Sequence, residues 1–594
     1  MVQETRREIS VKTNLWWLSV PAILALAAVL FFARLAERPF WGPESRWAEV
    51  AREMRISGNY FWPTINGRVH FGKPLLSYWL IAGAASVLGG LNEVAARLPS
   101  AACALLGVAL MILLARRLYG YRTAVLAGII LATSYSYAFY ARLAAADMAT
   151  VTGVLAALTL YFYQKDKNGW WALALWMIMA FTSLTKGLVG FVLPLLVIGV
   201  YSLLGEGLQS FGNGVLHGTM EQRRVWLFSR CRWLFNLKTA VAAAIGLALY
   251  VSPFAISAIL MDSKLGLSKV WSENVVQYFA SFDNLGPVYL YSYAIFELMA
   301  PWCAFLPAAL MQIHCKSRDR RDRFSLAYFW ATFFLFTFPG ARRDYYLLPI
   351  LPAASMMIAR LLTSPSAELD RRARALMNLG FIALAVVALS SGPLALIPVS
   401  MRPGVLRQLP VVPDRETFGL IWVVMVASIV YAVKPLEPKK IAVSVSVIAY
   451  LVLFYVHLVA LPAVKPLSGE KAFAQTVREK LGGDLSQLVS YKLSDPALWF
   501  YLGTRGPITV YEEENDLLRQ IQQNPDLWVI SREREFANLP LASSVITHKQ
   551  EFYWDQPTHW QEKYVLFRPG DTGSSAATAS VGELAKSSSQ PMHH

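Results

Sequence analysis

The sequence predicts a polytopic α-helical membrane protein that ends in a small α/β domain, and three observations lead to this fold class. Hydrophobic residues make up 55% of the 594-residue chain and charged residues only 16%, whereas soluble domains carry about 25% charged residues. Long apolar runs recur along most of the chain, at lengths that suit helices crossing a bilayer. Near residue 466 these runs give way to short, alternating helix and strand patterns.

The apolar runs define the membrane domain, which we predict over residues 1–465. A helix needs about 20 residues to cross the roughly 30 Å hydrocarbon core, and several runs reach that length. Counting the shorter and interrupted runs as well, we expect about 13 transmembrane helices. The main runs are Leu15–Ala33, Ala104–Ala115, Trp170–Thr182, Leu188–Leu204, Thr239–Leu260, Tyr328–Phe338, Ala375–Val399, Phe418–Val433 and Ile441–Val464.

Basic residues gather in the short segments between alternate runs, which predicts the orientation of the chain. The net charge of +16 is compatible with a nucleic-acid partner, but the cytoplasmic loops of membrane proteins carry such clusters. We therefore expect no nucleic-acid partner, a bacterial inner-membrane location, a cytoplasmic N-terminus and a periplasmic C-terminal domain. The clusters include Arg6, Arg7, Lys12, Arg116, Arg117, Arg122, Arg318, Arg320, Arg321, Arg323, Lys439 and Lys440.

The C-terminal region is predicted to be a periplasmic α/β domain of residues 466–570. It starts with an amphipathic helix in "SGEKAFAQTVREKL". The segments "GPITVYEEENDLLRQI" and "LWVISREREF" then join strand-like to helix-like runs. Residues 571–594 are rich in serine and alanine and carry no periodic apolar pattern, so we predict a disordered tail.

The first external loop is predicted over residues 37–92, too long for a simple connection, and it contains interfacial helices. Its "FWGPESRWAEVAREM" stretch separates charged from apolar residues on a helix that starts near Pro43 and Glu44. We expect this helix to lie in the membrane interface with its charged side toward water. It is either an amphipathic anchor or the wall of a site at the membrane surface. The charged side consists of Arg46, Glu49, Arg52 and Glu53.

Basic residues in the loops predicted to be external go against the orientation rule and indicate a site. Arginine binds phosphate through paired hydrogen bonds and lysine adds a point charge, so several cations at the outer rim suggest a phosphorylated lipid headgroup. Glu44 and Asp147 are carboxylates that can serve the chemistry there. Simpler interpretations are a solvated Lys73, a Lys186 that extends to the interface, and an Arg142–Asp147 ion pair. The cations are Lys73, Arg142, Lys186, Arg342 and Arg343.

Seven motifs between Pro43 and Pro349 carry a resemblance to a known family. They are "PESRWAEVAREM", "GNYFWPTINGRVHFGKPLLSYW", "RLAAADM", "LTKG", "WSENVVQYF", "PVYLYSYAIFELMAPW" and "GARRDYYLLP". In this order they resemble the GT-C glycosyltransferases of the bacterial protein-O-mannosyltransferase-like family, and within it the aminoarabinose–lipid A transferases. The resemblance covers the predicted membrane domain and, more loosely, the C-terminal domain.

This resemblance implies a GT-C fold and the transfer of a sugar from a polyprenyl-phosphate (undecaprenyl-phosphate) donor to an acceptor at the periplasmic face. The acceptor that it implies is lipid A, another glycan or a protein. Lys73 matches the family lysine that contacts the carrier phosphate, and Arg342 with Arg343 matches the basic pair expected there. Asp147 matches an acid beside the site. The predicted substrate- and carrier-phosphate-binding set is completed by Arg46, Arg142, Lys186 and Tyr345.

The chain departs from the family pattern at three positions that bear on the chemistry. Pro43 stands where the family has the first acid of an Asp–Glu pair, so we predict Glu44, with Asp147, as the catalytic carboxylates. Gly72 replaces a glutamate and Asn274 replaces a histidine. The resemblance implies that this acid and this histidine are metal ligands in relatives, so we predict no metal site and no cofactor here.

We expect an inverting transfer by a monomer embedded in membrane lipids. The cations hold the carrier phosphate as it leaves, and a carboxylate orients or deprotonates an acceptor hydroxyl. Two other functions fit parts of the sequence. A catalytically altered relative would bind the polyprenyl lipid or partner proteins without transferring sugar. A secondary transporter would place its charges at the membrane midplane within an internal repeat, and no repeat is evident in the sequence.

Overall fold

The computed structural model describes residues 18–164, 170–204, 219–221, 236–281, 283–316, 319–396, 414–433, 435–463, 469–541, 546–550 and 563–569. Contacts between residues divide the chain into two compact units. The first, called the helical unit, comprises Met1–Leu35, Phe71–Gly90 and Val94–Ala463. The second, called the mixed unit, comprises Ala36–His70, Leu91–Glu93 and Val464–His594. The tail predicted over residues 571–594 lies outside the described residues.

The helices are numbered in chain order. They are α1 (Leu18–Phe32), α2 (Glu44–Ser57), α3 (Leu76–Val87), α4 (Glu93–Tyr119), α5 (Tyr121–Ala132), α6 (Tyr135–Ala141), α7 (Asp147–Gln164), α8 (Trp171–Lys186), α9 (Val189–Leu204), α10 (Leu237–Leu260), α11 (Leu265–Trp271), α12 (Leu290–Leu298), α13 (Leu306–Lys316), α14 (Arg320–Thr337), α15 (Leu351–Thr363), α16 (Arg371–Leu396), α17 (Arg415–Val433), α18 (Pro438–Tyr455), α19 (Glu470–Lys480), α20 (Pro496–Leu502), α21 (Glu514–Gln523) and α22 (Glu533–Ala537). A π-helical turn, Ser272–Val276, follows α11, and a 3₁₀ turn, Asp344–Ile350, precedes α15.

The helical unit has the architecture of a polytopic membrane protein, as the sequence predicts. Among the described residues, six helices are long and apolar enough to cross a bilayer. Two further pairs qualify only when joined, and they bend by 64° between α5 and α6 and by 116° between α12 and the segment Trp302–Cys315. Shorter apolar helices are α1, α3, α8 and α9. The polytopic α-helical fold is confirmed, and the number of 13 spans stays a prediction.

Burial separates the central helix of this unit from helices at its periphery. In the stretch Asp344–Thr363, which ends in α15, 83% of the apolar window is buried, whereas in α17 the buried share is 22%. A helix exposed to lipid can keep apolar side chains on its outer face, but a helix surrounded by protein must pack on every side. The 3₁₀ turn before α15 therefore belongs to the most buried of these six long apolar segments.

Helices α7 and α8 approach each other closely enough to require a glycine. A Cβ atom on Gly153 would lie 2.0 Å from Oγ1 of Thr182, which no real side chain allows. The hydroxyl groups of Thr150 and Thr185 are 2.9 Å apart across the same interface. Small and hydroxylic residues let membrane helices pack at short distance. This contact fixes the ends of both helices, where two predicted site residues lie.

The mixed unit contains the predicted α/β domain. A five-stranded sheet has the order β4-β3-β5-β7-β6, with β3 parallel to β4 and β5 and with β7 antiparallel to β5 and β6. Successive residues of a strand point to opposite faces, and apolar clusters cover both faces of this sheet. The strands are β1 (Thr64–Ile65), β2 (Arg68–Val69), β3 (Leu488–Tyr491), β4 (Val510–Tyr511), β5 (Trp528–Arg532), β6 (Ile546–Lys549) and β7 (Tyr564–Phe567). The hairpin β1–β2 forms a separate sheet.

Most of the first predicted loop belongs to the mixed unit, because its polar groups bond to the C-terminal residues. The side chain of Asn66 accepts from the Ile508 amide at 2.7 Å and donates to the Ile508 carbonyl at 2.8 Å. The backbone amide of Phe40 donates to the Tyr501 hydroxyl at 2.8 Å. Residues 36–70 and the α/β domain are therefore one packed body, although the residues joined by these bonds are more than 400 positions apart in the chain.

The charged side of α2 contacts protein, and the expectation that it faces water is wrong for Glu49. Glu49 is fully buried, and Arg52 donates to both of its carboxylate oxygens at 2.7 Å. Arg52 also donates to the Thr504 carbonyl. Burial raises the pKa of the Glu49 carboxyl, and the hydrogen bonds and charge of Arg52 oppose that rise. Amphipathicity identified the charged side of the helix, but the protein surface that covers it is distant in sequence.

Replacing Arg52 by leucine should lower the free energy of unfolding by about 3–5 kcal/mol, because Glu49 would remain buried without its partner. A carboxyl with a higher pKa in the folded chain favours folding only where it is protonated. The deficit should therefore shrink as the pH falls from 7 toward the ordinary glutamate value of 4.5. Thermal unfolding in detergent at several pH values measures both effects. Arg55→Leu on the same helix is the control, and an equal loss in both variants would contradict the prediction.

Candidate active site

The predicted site residues fall in both units, and each unit is described separately. The helical unit holds seven of them, and the mixed unit holds Glu44 and Arg46. In the helical unit the ends of α7 and α8, the turn before α15 and the segment after α11 carry the polar groups. These seven residues are Lys73, Arg142, Asp147, Lys186, Arg342, Arg343 and Tyr345.

Asp147 and Lys186 form an ion pair at the ends of two adjacent helices. Asp147 is the first residue of α7 and Lys186 is the last residue of α8. The Lys186 ammonium contacts the Asp147 carboxylate, and the side chains are 19% and 9% exposed. A carboxylate at a helix N-terminus and a cation at a C-terminus both interact favourably with the helix dipole. The ion pair that Asp147 makes is thus with Lys186, and the Arg142 side chain donates to the Leu30 carbonyl.

Two tyrosine rings enclose the Lys186 ammonium on its other side. Its nitrogen lies 5.1 Å from the ring centre of Tyr345 and 4.8 Å from that of Tyr346. Tyr140 packs on Tyr345 with ring centres 5.6 Å apart. Cation–π contacts hold an ammonium in place but use none of its hydrogen-bond donors. Among the described residues, Asp147 is the one hydrogen-bond acceptor of Lys186, so the ammonium keeps donors for an anion.

Arg342 and Arg343 are adjacent in sequence but have different contacts. Arg342 donates twice to the carbonyl of Thr337, at 3.0 and 2.8 Å, and once to that of Gly286, at 2.6 Å. These bonds fix its guanidinium to the backbone at the end of α14. Arg343 is exposed, and its Nε and Nη2 atoms donate to the side-chain oxygen of Asn284. Arg343 is therefore better suited to bind a ligand, and Arg342 holds the loop that presents it.

Lys73 lies opposite a glutamate that the predicted site did not include. Its ammonium is 3.9 Å from the Glu273 carboxylate, and the side chains are 41% and 31% exposed. Ion pairs of this length and exposure contribute about 0–1 kcal/mol. An anion with more charge, such as a phosphate monoester, can therefore take the place of Glu273. The Lys186–Asp147 pair is shorter and more buried, so it costs more to separate.

Arg142 has a structural contact at the end of α6. Its Nη1 atom donates to the Leu30 carbonyl at 2.7 Å. Leu30 is fully buried in α1. The bond ties α1 to the segment that leads into α7, so Arg142 supports the position of Asp147 through the backbone.

The residues at the family's presumed metal positions do not fit a divalent ion. Gly72 has no side chain to donate, and the Asn274 oxygen already accepts from the Leu188 amide at 2.7 Å. Across the described ranges, no group of three His, Cys, Asp or Glu side chains is placed to hold a metal ion. Zinc sites use three or four such protein ligands. We therefore derive no step of a reaction through a metal.

In the mixed unit, Glu44 is buried and engaged, and Arg46 is exposed. The Glu44 carboxylate accepts from the Trp41 amide and from Arg38, both at 3.0 Å, and its side chain is 1% exposed. A carboxylate in the first turn stabilises a helix N-terminus, so these bonds hold the start of α2. Arg46 points to solvent in the first turn of the same helix.

The sequence did not identify several residues that complete the site. Glu273 faces Lys73, Tyr346 packs against Lys186, and Asn284 binds Arg343. Two of them lie inside quoted motifs, "WSENVVQYF" and "GARRDYYLLP", which placed them near other candidates in the chain. No periodicity of a single sequence pairs residue 73 with residue 273, because that contact depends on how distant segments pack.

The chain is similar to known glycosyltransferases. Residues 72–220, about a quarter of the chain, match the dolichyl-phosphate-mannose-protein mannosyltransferase family. The undecaprenyl phosphate-alpha-4-amino-4-deoxy-L-arabinose arabinosyl transferase 1 of Pseudomonas fluorescens is 28% identical over 357 residues, which cover 58% of this chain and 59% of that protein. The transferase of that name from Pseudomonas aeruginosa is 27% identical over 386 residues, covering 62% and 65%. The alignments thus span about three fifths of the length of these relatives.

A solved structure agrees over nearly the whole chain. The crystal structure of ArnT from Cupriavidus metallidurans bound to undecaprenyl phosphate matches with a TM-score of 0.67 and 22% identity, covering 92% of this chain and 97% of that chain. The fold is therefore that of the GT-C membrane glycosyltransferases. Within that class, the aminoarabinose transferases are the proteins to which the chain is similar, and the resemblance predicted from the motifs is confirmed.

Proposed function

We propose that this protein is a membrane glycosyltransferase that moves a sugar from an undecaprenyl-phosphate carrier to lipid A or a related lipid or glycan. One observation supports this most strongly. Lys186 lies between a carboxylate and two tyrosine rings beside the turn that carries Arg343. Cations and aromatic rings together suit a phosphate that is linked to a sugar. The names of the similar proteins point to the same donor.

The reaction that we propose breaks the bond between the anomeric carbon and the carrier phosphate. The electron pair of that bond leaves with the phosphate oxygen, and Arg343, Lys73 and Lys186 stabilise the added charge. An acceptor oxygen forms the new bond to the anomeric carbon from the opposite side. If the acceptor is a hydroxyl, its proton passes to a carboxylate, whereas an ionised phosphate acceptor has no proton to lose.

Asp147 is the carboxylate that we assign to this site, with Glu44 as the second candidate. Asp147 contacts Lys186 directly, so it lies next to a group that we expect to bind the donor. The Glu44 carboxylate is already bonded to Arg38 and Trp41. The assignment makes Asp147 both the partner that orients Lys186 and the group nearest to an incoming acceptor.

The protein is proposed to act as a monomer in the bacterial inner membrane, with a cytoplasmic N-terminus and the mixed unit in the periplasm. Clusters of arginine and lysine favour the cytoplasmic side. Alkaline phosphatase fused after residue 569 should be active, and fluorescent protein fused there should stay dark when exported by the general secretory route. Fusions in the loop after Lys316 should give the reverse pattern. An active cytoplasmic reporter after residue 569 would contradict the orientation.

Arg343→Ala tests the proposed function at its exposed cation. We expect kcat/KM for an undecaprenyl-phosphate-linked sugar to fall about ten- to a hundredfold, because a charge-assisted hydrogen bond to phosphate is lost. Arg343→Lys should recover part of the loss. The measurement is transfer by purified protein, with product identified by mass spectrometry. Arg321→Ala, at an exposed arginine in the first turn of α14, is the control, and equal rates in all three variants would overturn the assignment.

A catalytically altered relative is the second candidate function. Pro43 stands at the family's acid position, and Glu44 is buried, so the acceptor side differs from the family pattern. Such a protein would bind undecaprenyl phosphate and would form no glycosylated product with any donor. Donor-dependent product from the purified wild-type chain separates the two functions.

A further inference from the structure

Of two adjacent side chains in one π-helical turn, the first contacts a lysine of the candidate site and the second bonds to the backbone close to another lysine. The turn Ser272–Val276 contributes none of its residues to the buried core. Glu273 lies 3.9 Å from the Lys73 ammonium. Asn274 bonds to the backbone of Leu188, two residues after Lys186. π-helical turns are uncommon and are frequent at functional sites.

The contact of Asn274 uses both ends of its amide. Its oxygen accepts from the Leu188 amide at 2.7 Å, and its nitrogen donates to the Val270 carbonyl at 2.8 Å. An amide side chain supplies both the acceptor and the donor that these two bonds need. Aspartate keeps the bond to Leu188 and loses the bond to Val270. Leucine has a similar size and loses both.

The backbone at Gly187, next to Leu188, leaves room for the Asn274 side chain. Gly187 has a φ of 89°, which favours glycine. A Cβ atom at Gly187 would lie 1.9 Å from the Asn274 oxygen. The absent side chain therefore lets the amide reach Leu188. The turn between α8 and α9 is therefore held by Asn274, a residue that belongs to neither helix.

We propose that Asn274 is a positioning residue for Lys186. Its bond to Leu188 fixes the turn in which α8 ends, and that turn keeps the Lys186 ammonium between Asp147 and the rings of Tyr345 and Tyr346. Glu273 places Lys73 from the same turn, so the π-helical turn sets the spacing of two cations that receive one phosphate. This inference rests on the proposed function, because it requires Lys186 to bind the carrier phosphate.

Binding of undecaprenyl phosphate in detergent micelles, followed by intrinsic fluorescence, tests the proposal. We expect Asn274→Leu to raise Kd about tenfold, since a hydrogen bond contributes up to about that factor. Asn274→Asp should have a smaller effect. Ser268→Ala removes an exposed hydroxyl in the neighbouring α11 and should leave Kd unchanged. The same order should appear in KM for the donor, with less change in kcat.

A double-mutant cycle distinguishes positioning from general stability. In a Lys186→Met background, Asn274→Leu should cause no further loss of binding, because the group that it positions is gone. A tenfold loss that persists in this background would overturn the proposal. If Lys186→Met weakens binding and Asn274→Leu does not, this inference fails alone. If Lys186→Met binds normally, the phosphate assignment in the proposed function fails as well.

Discussion

Replacing Lys186 by methionine should lower the rate of sugar transfer by about a hundred- to a thousandfold, the cost of removing one preorganised group that stabilises developing charge. Lys186 is fixed by an ion pair with Asp147 and by the rings of Tyr345 and Tyr346. A group held in this way stabilises the leaving phosphate without reorganising during the reaction. Initial rates with a saturating undecaprenyl-phosphate-linked sugar measure the effect on kcat.

Loss of Lys186 also lowers the stability of the protein, so the variants must separate lost stability from lost transfer. Asp147 would remain buried without its partner, which costs about 3–5 kcal/mol. The double variant Lys186→Met/Asp147→Asn removes the unpaired charge, so it should regain thermal stability but should not regain transfer to an ionised phosphate acceptor, a reaction that needs no base. Lys269→Met, at an exposed lysine of α11, is the matched control. Recovery of transfer in the double variant would show that Lys186 is needed only for folding.

The membrane fold was predictable from the sequence because hydrophobicity is a local property. Each helix crossing a bilayer needs its own long apolar stretch, so the runs identify most helices without knowledge of their neighbours. Short or bent helices have shorter apolar runs, so the sequence identifies them less clearly. The pairs α5–α6 and α12–α13 show this, since no straight helix in either pair has the length to span alone.

The candidate site was predictable as a set of residues but not as a geometry. Charges that oppose the orientation rule are visible in a sequence, which is why Lys73, Lys186 and Arg343 were identified. Their partners were not visible. The Lys73–Glu273 contact joins residues 200 positions apart. Arg342 bonds to backbone carbonyls, whereas Arg343 bonds to the Asn284 side chain, and nothing in the sequence distinguishes these two neighbours.

The first loop shows why amphipathicity alone is ambiguous. A helix with one charged side can face water, lipid headgroups or another part of the protein. For α2, Glu49 is buried against Arg52, and Arg52 donates in turn to the Thr504 carbonyl of the C-terminal residues, while Arg46 is exposed. A periodic sequence pattern shows which side of a helix is charged. It does not show what that side contacts, because the contact depends on packing between segments that are distant in the chain.

The roles of the two predicted carboxylates follow from their surroundings. Glu44 accepts two hydrogen bonds at the start of α2 and has 1% of its side chain exposed. Asp147 pairs with a lysine that we expect to contact the donor. A carboxylate that takes a proton must be within hydrogen-bond reach of the acceptor. Asp147 meets this requirement better, because it adjoins Lys186, whereas the Glu44 side chain is 1% exposed and is bonded to Arg38 and Trp41.

Asp147→Asn should therefore lower transfer to a hydroxyl acceptor by about a hundred- to ten-thousandfold, the range for loss of a general base. Glu44→Gln should stay within about threefold of wild type and lose only about 1 kcal/mol of stability, because the amide oxygen can still accept from Trp41. Transfer rates and melting temperatures of both variants decide between the carboxylates. A Glu44→Gln protein that melts normally and transfers no sugar would assign the chemistry to Glu44.

Comparing two kinds of acceptor distinguishes proton transfer by Asp147 from positioning of Lys186 by Asp147. With an ionised phosphate acceptor there is no proton to remove, so a base contributes nothing to that reaction. Asp147→Asn should then slow transfer to a phosphate acceptor far less than transfer to a hydroxyl acceptor. Equal losses with both acceptors would mean that the carboxylate acts through Lys186, by holding the ammonium against the leaving phosphate. In that case the chemistry at the acceptor needs no base, and the absence of the family's acid at Pro43 costs the enzyme little.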